Sequence, residues 1–320
     1  MKSHADKEPS CVIEITKVRG EAFIPTLQNV RGFMKATSII WLYELGLPVL
    51  PGLIVRGWSD KVSLRIHEFC RRKRFTRLLL RIDKSEERWG KRRGGYIVAV
   101  RGIRRHVEAL LQEGYIGILL EPASPYADSY TLAALVVPEK RKMIVEVVGP
   151  GFDASDILRS DLGPHERLEV TLPLTTYGFV PVRMSDVRHL YVTDSHAYRT
   201  SVMRRLAKIG AQLENPAYPD SVLESSELHL DRLISAAMRF LKKTGQSLLL
   251  NHMENYQPLP QSYLETFTGF VCQLIVGLSK YGISLKIISI SASSVAPRGF
   301  VFWDFFPARK EERNALSLGT

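Results

Sequence analysis

The chain has 320 residues, 45% hydrophobic and 24% charged, which suits a folded globular protein of about two domains and excludes enforced disorder. Its longest apolar runs, around Ile116–Leu120 and Leu248–Leu250, are strand-sized, so no membrane span is expected. Met1–Ser10 lacks the basic-then-apolar order of a signal peptide, so a cytoplasmic protein is expected.

Cys11, Cys70 and Cys272 are far apart and form no CxxC, which speaks against a zinc site or a disulfide framework. The net charge of +11 leaves open a nucleic-acid surface, a polyphosphate pocket or a solvated basic face. Basic residues cluster at Arg71–Arg74, Lys91–Arg93 and Arg104–Arg105 without interleaved aromatics, so nucleic acid is the disfavoured partner but is not excluded by charge.

In chain order, Val12–Ile15 reads as an edge strand, followed by a lead-in loop around Pro25. Ile39, Ile40, Leu42, Tyr43 and Leu45 lie at helical spacing over 36–46, and Gly46 stops that helix. Pro48 and Pro51 confine the next extended piece to Leu53–Val55. Ser59 or Asp60 caps a helix to about Lys73, and Arg77–Ile82 is a strand. A charged loop follows over 84–95, then a short strand from Tyr96 to Val100 and an amphipathic helix over 102–113, ended by Gly114.

Three strands are expected at Ile116–Glu121, Tyr130–Val137 and Met143–Val148, the last two an antiparallel hairpin around Pro138–Lys140. Residues 149–166 read as a polar loop. Helices are expected over 196–213, 222–243 and 261–280, with strands at Ser247–Asn251, Ile283–Ile290 and Phe300–Phe305. Hairpins mixed with helix-flanked strands give an α+β class.

Neither a P-loop pattern nor G-x-G-x-x-G occurs. Five segments nonetheless resemble one family in order and approximate spacing over residues 30–160. Gly32-Phe-Met-Lys35-Ala36, a helix and Leu45-Gly46-Leu47-Pro48-Val49-Leu50-Pro51-Gly52 resemble the opening of the nucleotide-binding domain of phosphoenolpyruvate synthase and pyruvate phosphate dikinase. That opening runs Gly-Gly-Lys-Gly, helix, Gly-Leu-Pro-Val-Pro-Pro-Gly. Leu80-Arg81-Ile82-Asp83, followed by Glu86 and Glu87, sits where the family has Val-Arg-Ser-Ser and an acidic turn. Gly94-Gly95-Tyr96 resembles its glycine loop, Ile118–Glu121 its hinge strand, and Ile144–Gly151, with Glu146, its later strand ending in Gly-x-Gly.

The resemblance implies an ATP-grasp-like fold of two α+β subdomains, 1–115 and 116–320, with mixed or antiparallel sheets enclosing a nucleotide cleft. It implies ATP and Mg²⁺ as cofactors, with Lys35 and Arg81 on the phosphates, Gly94, Gly95 and Tyr96 in a lid, and Glu121 and Glu146 beside the nucleotide. A lysine point charge and a planar arginine suit a triphosphate. Simpler readings stand beside these roles: an exposed helix-start lysine at Lys35, a pair of Arg81 with Asp83 or Glu86, and a hairpin turn at Gly94-Gly95.

Asp304, set among large apolar residues on the last strand, needs a cation beside it. It is the expected metal ligand, and a pair with Arg298 or Arg309 is the alternative. The family's Asp-Ile-Glu-Trp and Gln-x-Arg-Pro segments have no counterpart here, so a second acid is not visible. The loop 149–166 is dense in ionisable groups. Asp153 and Asp156 read either as helix caps or as part of a substrate-facing loop in which Arg159 and His165 bind an anionic group. The expected activity is phosphoryl transfer to a small-molecule carboxylate and ligation to an amine or other nucleophile, by a ligase or phosphotransferase. The alternatives are a catalytically degenerate nucleotide-binding regulatory or interaction protein, or a small-molecule phosphotransferase. The expected partners are ATP and a small anionic substrate.

Overall fold

The computed structural model describes residues 11–85, 96–121, 130–149, 152, 163–175, 178–179, 183–214, 227–243, 255–295 and 299–307. The chain divides into two compact units, the first taking the described residues up to Glu121 together with 277–282 and 301–306.

Five strands build the first unit's sheet: β1 (Val12–Glu14), β2 (Gly52–Val55), β3 (Arg77–Lys84), β4 (Tyr96–Ala99) and β5 (Tyr115–Leu120). Their order is β1-β2-β5-β3-β4, every pair antiparallel. Side chains alternate across a strand, and β3 uses that alternation. Leu78, Leu80 and Ile82 point into a core formed with helix α3 (Asp60–Lys73) and helix α4 (Ile103–Gln112). Arg81 and Asp83 therefore point to the opposite face, together with the buried Ile54 and Ile118.

Helix α1 (Phe23–Asn29) precedes helix α2 (Met34–Glu44). Seven of the eleven residues of α2 are buried, so it behaves as a core helix rather than an amphipathic one. It ends in a Schellman motif: Gly46 has φ 78°, its N–H donates to Tyr43 O, and Leu47 N–H donates to Leu42 O. Helix α3 starts on Ser59, whose Oγ accepts from Val62 N at 3.3 Å, and ends in the same motif. Here the left-handed position is held by Arg74 (φ 58°), at a cost of about 1 kcal/mol relative to glycine.

The second unit contains a six-stranded sheet in the order β11-β8-β7-β6-β12-β13. Its strands are β6 (Thr131–Val137), β7 (Lys142–Val148), β8 (Glu166–Thr171), β11 (Val187–Val192), β12 (Ile288–Val295) and β13 (Gly299–Pro307), whose residues 301–306 fall in the first unit. A two-stranded piece, β9 (Leu174–Thr175) and β10 (Gly178–Phe179), lies apart from it. Helices α5 (Ser195–Glu214) and α6 (Glu227–Lys243) pack so closely at Gly210 that an added Cβ would overlap the Leu233 carbonyl. Helix α7 (Gln261–Lys280) sets Phe267 against Phe300, their rings 5.7 Å apart.

The α+β class holds, and each expected helix has a counterpart. Four features differ from expectation. Residues 166–171 form β8 rather than the end of a loop, because Leu168 and Val170 alternate inward. Phe23–Asn29 is helical, with Pro25 tolerated in the first turn. Val187–Val192 is an edge strand. The strand expected at Ile283–Ile290 runs instead over Ile288–Val295, because its register is set by β6, with Ile288 opposite Val136 and Ser293 opposite Thr131. Ser247–Asn251 lies outside the described residues.

Candidate functional site

The N-terminus of α2 has no capping side chain of its own, since the N-cap is Phe33. Its first N–H groups have no acceptor within the helix, and β3 provides one. The Asp83 carboxylate, 1% exposed, accepts from Ala36 N at 2.9 Å, placing an anion at the positive end of the helix. Lys35, one residue earlier, is 5% exposed and donates from Nζ to Ile82 O at 2.6 Å. Lys35 is thus not an exposed helix-start lysine: its aliphatic stem is buried and its ammonium sits on the β3 backbone.

Arg81 points from the same face of β3 and meets the last strand. Its Nη2 donates to Asp304 Oδ2 at 2.8 Å, its Nη1 to Trp303 O at 2.7 Å, and its guanidinium lies 5.6 Å from the Trp303 ring centre. Both charged side chains are only about one-eighth exposed, at 13% and 14%. Ser38, one turn along α2 from Lys35, receives Phe305 N–H on its Oγ at 2.6 Å, and Phe302 N donates to Pro48 O. Three elements far apart in sequence therefore converge within one unit: the start of α2, the end of β3 and residues 301–306. The partner of Arg81 is Asp304, not the nearer Asp83. A sequence signal for this existed, namely one acid on an apolar strand that required a cation, but it did not identify which cation.

Glu121 follows β5, with its N–H bonded to Pro51 O at 2.9 Å. Tyr96 begins β4 opposite Leu80. Gly94, Gly95, Arg159, Asp153, Asp156, Glu86, Glu87, Arg298 and Arg309 lie outside the described residues.

In the second unit, Glu146 on β7 lies directly opposite Arg167 on β8, with Oε1 3.4 Å from Nε. Burial raises the Glu146 pKa, and the Arg167 charge opposes that rise. His165 is 2% exposed. Gly149 N donates to its Nδ1 at 3.1 Å, which leaves the ring proton on Nε2, 2.9 Å from Ser201 Oγ; that hydroxyl donates onward to Tyr198 O. The rings of Phe152, Tyr198 and Tyr256 enclose the imidazole at 4.5–5.4 Å. Burial pushes its pKa down to about 4, so it is neutral at pH 7. Both nitrogens are engaged, and neither is left to meet an anionic group.

Its neighbour Glu166 was not singled out from the sequence. The side chain is fully buried, and Oε2 accepts from Tyr256 Oη at 3.0 Å and from Leu259 N at 2.8 Å. Oε1 lies 3.2 Å from Nδ1 of half-exposed His189 without the alignment of a hydrogen bond. Burial and Glu166 together push the Tyr256 hydroxyl pKa far up.

Among the described residues no group of three or more His, Cys, Asp or Glu gathers into a metal cage. Magnesium beside a nucleotide needs only one or two carboxylates, with phosphates and water completing its shell. Asp304 fits that requirement as a single protein ligand, its charge currently met by Arg81.

No protein-family model and no curated protein matches the chain. Among solved structures it is similar to the D-cycloserine synthetase DcsG, at 12% identity and a TM-score of 0.34, over 83% of this chain and 59% of that one. It is also similar to D-alanyl-alanine synthetase A from Vibrio cholerae, at 11% identity and a TM-score of 0.35, over 88% of this chain and 57% of that one. The chain thus spans less than three-fifths of the length of either structure. Among the described residues, no helix is long and apolar enough to cross a membrane.

Proposed function

We propose that the chain is a cytoplasmic ATP-grasp enzyme that uses MgATP to activate a small-molecule carboxylate for ligation to an amine or other nucleophile. The observation that carries this reading is the convergence of Lys35, Arg81 and Asp304, from three separated segments, at the N-terminus of α2. In this reading Arg81 turns its planar fork from Asp304 to phosphate oxygens, and Asp304 then serves the magnesium ion. Lys35 adds a point charge at the same place. A bound Mg²⁺ would neutralise charge developing on the transferred phosphoryl group.

The test is a thermal-shift titration. MgATP is expected to raise the unfolding temperature where Mg²⁺ alone does not, and Lys35→Ala and Arg81→Ala are each expected to abolish that ligand-dependent rise. ADP release that depends on an added carboxylate marks catalysis. If saturating MgATP produces no shift in the unmodified protein, the reading fails.

A second reading, a nucleotide-binding protein without catalysis, is favoured by one observation: Lys35 and Arg81 are already engaged, on Ile82 O and on Asp304. A MgATP-dependent shift without ADP release under any tested carboxylate would select it.

A further inference from the structure

Outside the candidate site, the strongest feature is electrostatic. The α3–β3 turn and the start of α4 lie side by side: Val100 N donates to Thr76 O at 3.0 Å, and Arg77 pairs with Ala99 in the sheet. This brings Arg71, Lys73, Arg74, Arg101 and Arg105 onto one exposed corner of the first unit. None of the five forms an ion pair among the described residues. Two nearby arginines do: Arg104 Nε binds Glu108 Oε1 at 3.1 Å, and Arg72 binds Glu14. Glu68 is the other acid on this part of α3 and is exposed.

Solvation and the helix dipole account for a cation or two at the end of α3. They do not account for Arg74, which holds the left-handed position where glycine is the usual residue. They also do not account for Arg101 and Arg105, which lie beyond that helix. The α4 side of the corner carries an open depression of about 420 Å³, lined by Arg101, Arg105 and the paired Arg104 and Glu108.

We propose that this corner binds the phosphodiester backbone of a nucleic acid without sequence preference. Four of the five cations are arginines, whose fork matches phosphate oxygens in pairs. A charged surface with a depression at one side fits a strand of phosphates, whereas a membrane-binding surface needs apolar side chains beside its charges. The corner offers no exposed aromatic ring among its described residues, so base stacking contributes nothing and affinity is electrostatic. The proposal is independent of the ATP reading, because none of its residues belongs to the Lys35–Arg81–Asp304 group.

The experiment is fluorescence-anisotropy binding of a labelled random-sequence duplex, DNA and RNA in parallel, to the full chain at 50–200 mM salt. Five or so phosphate contacts predict a log–log salt slope of about −4 to −5 and a loss of affinity of about 250- to 1,000-fold across that range. The variant Arg71→Gln/Arg74→Gln/Arg101→Gln/Arg105→Gln is expected to weaken binding about 100-fold at 50 mM salt and to flatten the slope by about 3–4. The control Lys140→Gln/Arg141→Gln/Lys242→Gln/Lys243→Gln removes the same charge from exposed positions of the second unit and is expected to change binding less than 5-fold. Equal losses in both variants would reduce the effect to net charge and overturn the proposal. So would binding to anionic phospholipid vesicles with none to duplex, or no binding at 50 mM salt. Unchanged circular dichroism and an unchanged melting temperature establish that each variant is folded.

Discussion

Among the described residues, replacing Asp304 with alanine leaves the Arg81 guanidinium the Trp303 carbonyl and ring as partners. The pair is 2.8 Å long and about seven-eighths removed from solvent on both sides. Removing one partner from a fully buried pair costs about 3–5 kcal/mol, and the residual exposure places this case near the lower end. We expect Asp304→Ala to cost about 3 kcal/mol. Arg81→Ala should cost about as much, because it also loses the bond to Trp303 O and the ring contact. The double variant removes both charges and should cost only about 4 kcal/mol, giving a coupling of about 2 kcal/mol. Urea denaturation of the four proteins measures this. With a slope of about 2 kcal/mol per molar, each single variant shifts the midpoint by about 1–2 M. Costs that add to within about 0.5 kcal/mol would refute the pair. Under the proposed function, saturating MgATP should reduce the coupling, because each partner then serves the nucleotide instead of the other.

His165 has a folded pKa of about 4 against an ordinary 6.5, so between those values the unfolded chain takes up a proton that the folded chain refuses. Stability due to this residue is therefore complete above pH 6.5 and is lost as pH falls toward 4, by up to about 3 kcal/mol. Denaturation at pH 7 and pH 5 should show the loss, and His165→Gln should lack that part of the pH dependence. Gly210→Ala forces α5 away from the Leu233 carbonyl and is expected to destabilise by about 2–3 kcal/mol, read as a lower melting temperature. Under native conditions a thiol reagent should label Cys11 quickly and the other two cysteines only on unfolding. Cys11 is exposed, while burial raises the Cys70 and Cys272 pKa to about 11 and 12.

Short-range physics made much of the fold legible in the sequence. Gly46 ending α2, Ser59 opening α3, Gly114 following α4 and the strand at Arg77–Ile82 act within a few residues, and each appears where the sequence implied it. The turn at Pro138–Lys140 between β6 and β7 is equally local. The strand at 166–171 was missed because charged residues on one face hide a half-buried strand, and that at 187–192 because it is an exposed edge strand with no buried face to mark it. The extent of β12 depends on its partner β6, which its own residues do not encode.

At the candidate site, residue types were readable and pairings were not. That Lys35 meets the end of β3 is tertiary, since β2 and α3 separate the two in the chain and the bond from Lys35 Nζ to Ile82 O spans 47 residues. That Asp304 reaches Arg81 across 223 residues follows only from the course of residues 301–306 within the first unit. His165, an ionisable group in a polar stretch, becomes a neutral core residue because Phe152, Tyr198 and Tyr256 close around it, two of them from distant segments. The sequence determined where charge had to be compensated, since an apolar strand bearing one carboxylate requires a cation. Tertiary structure alone decided which cation answers it, because the cost of burying a charge is local while the partner that offsets it is not.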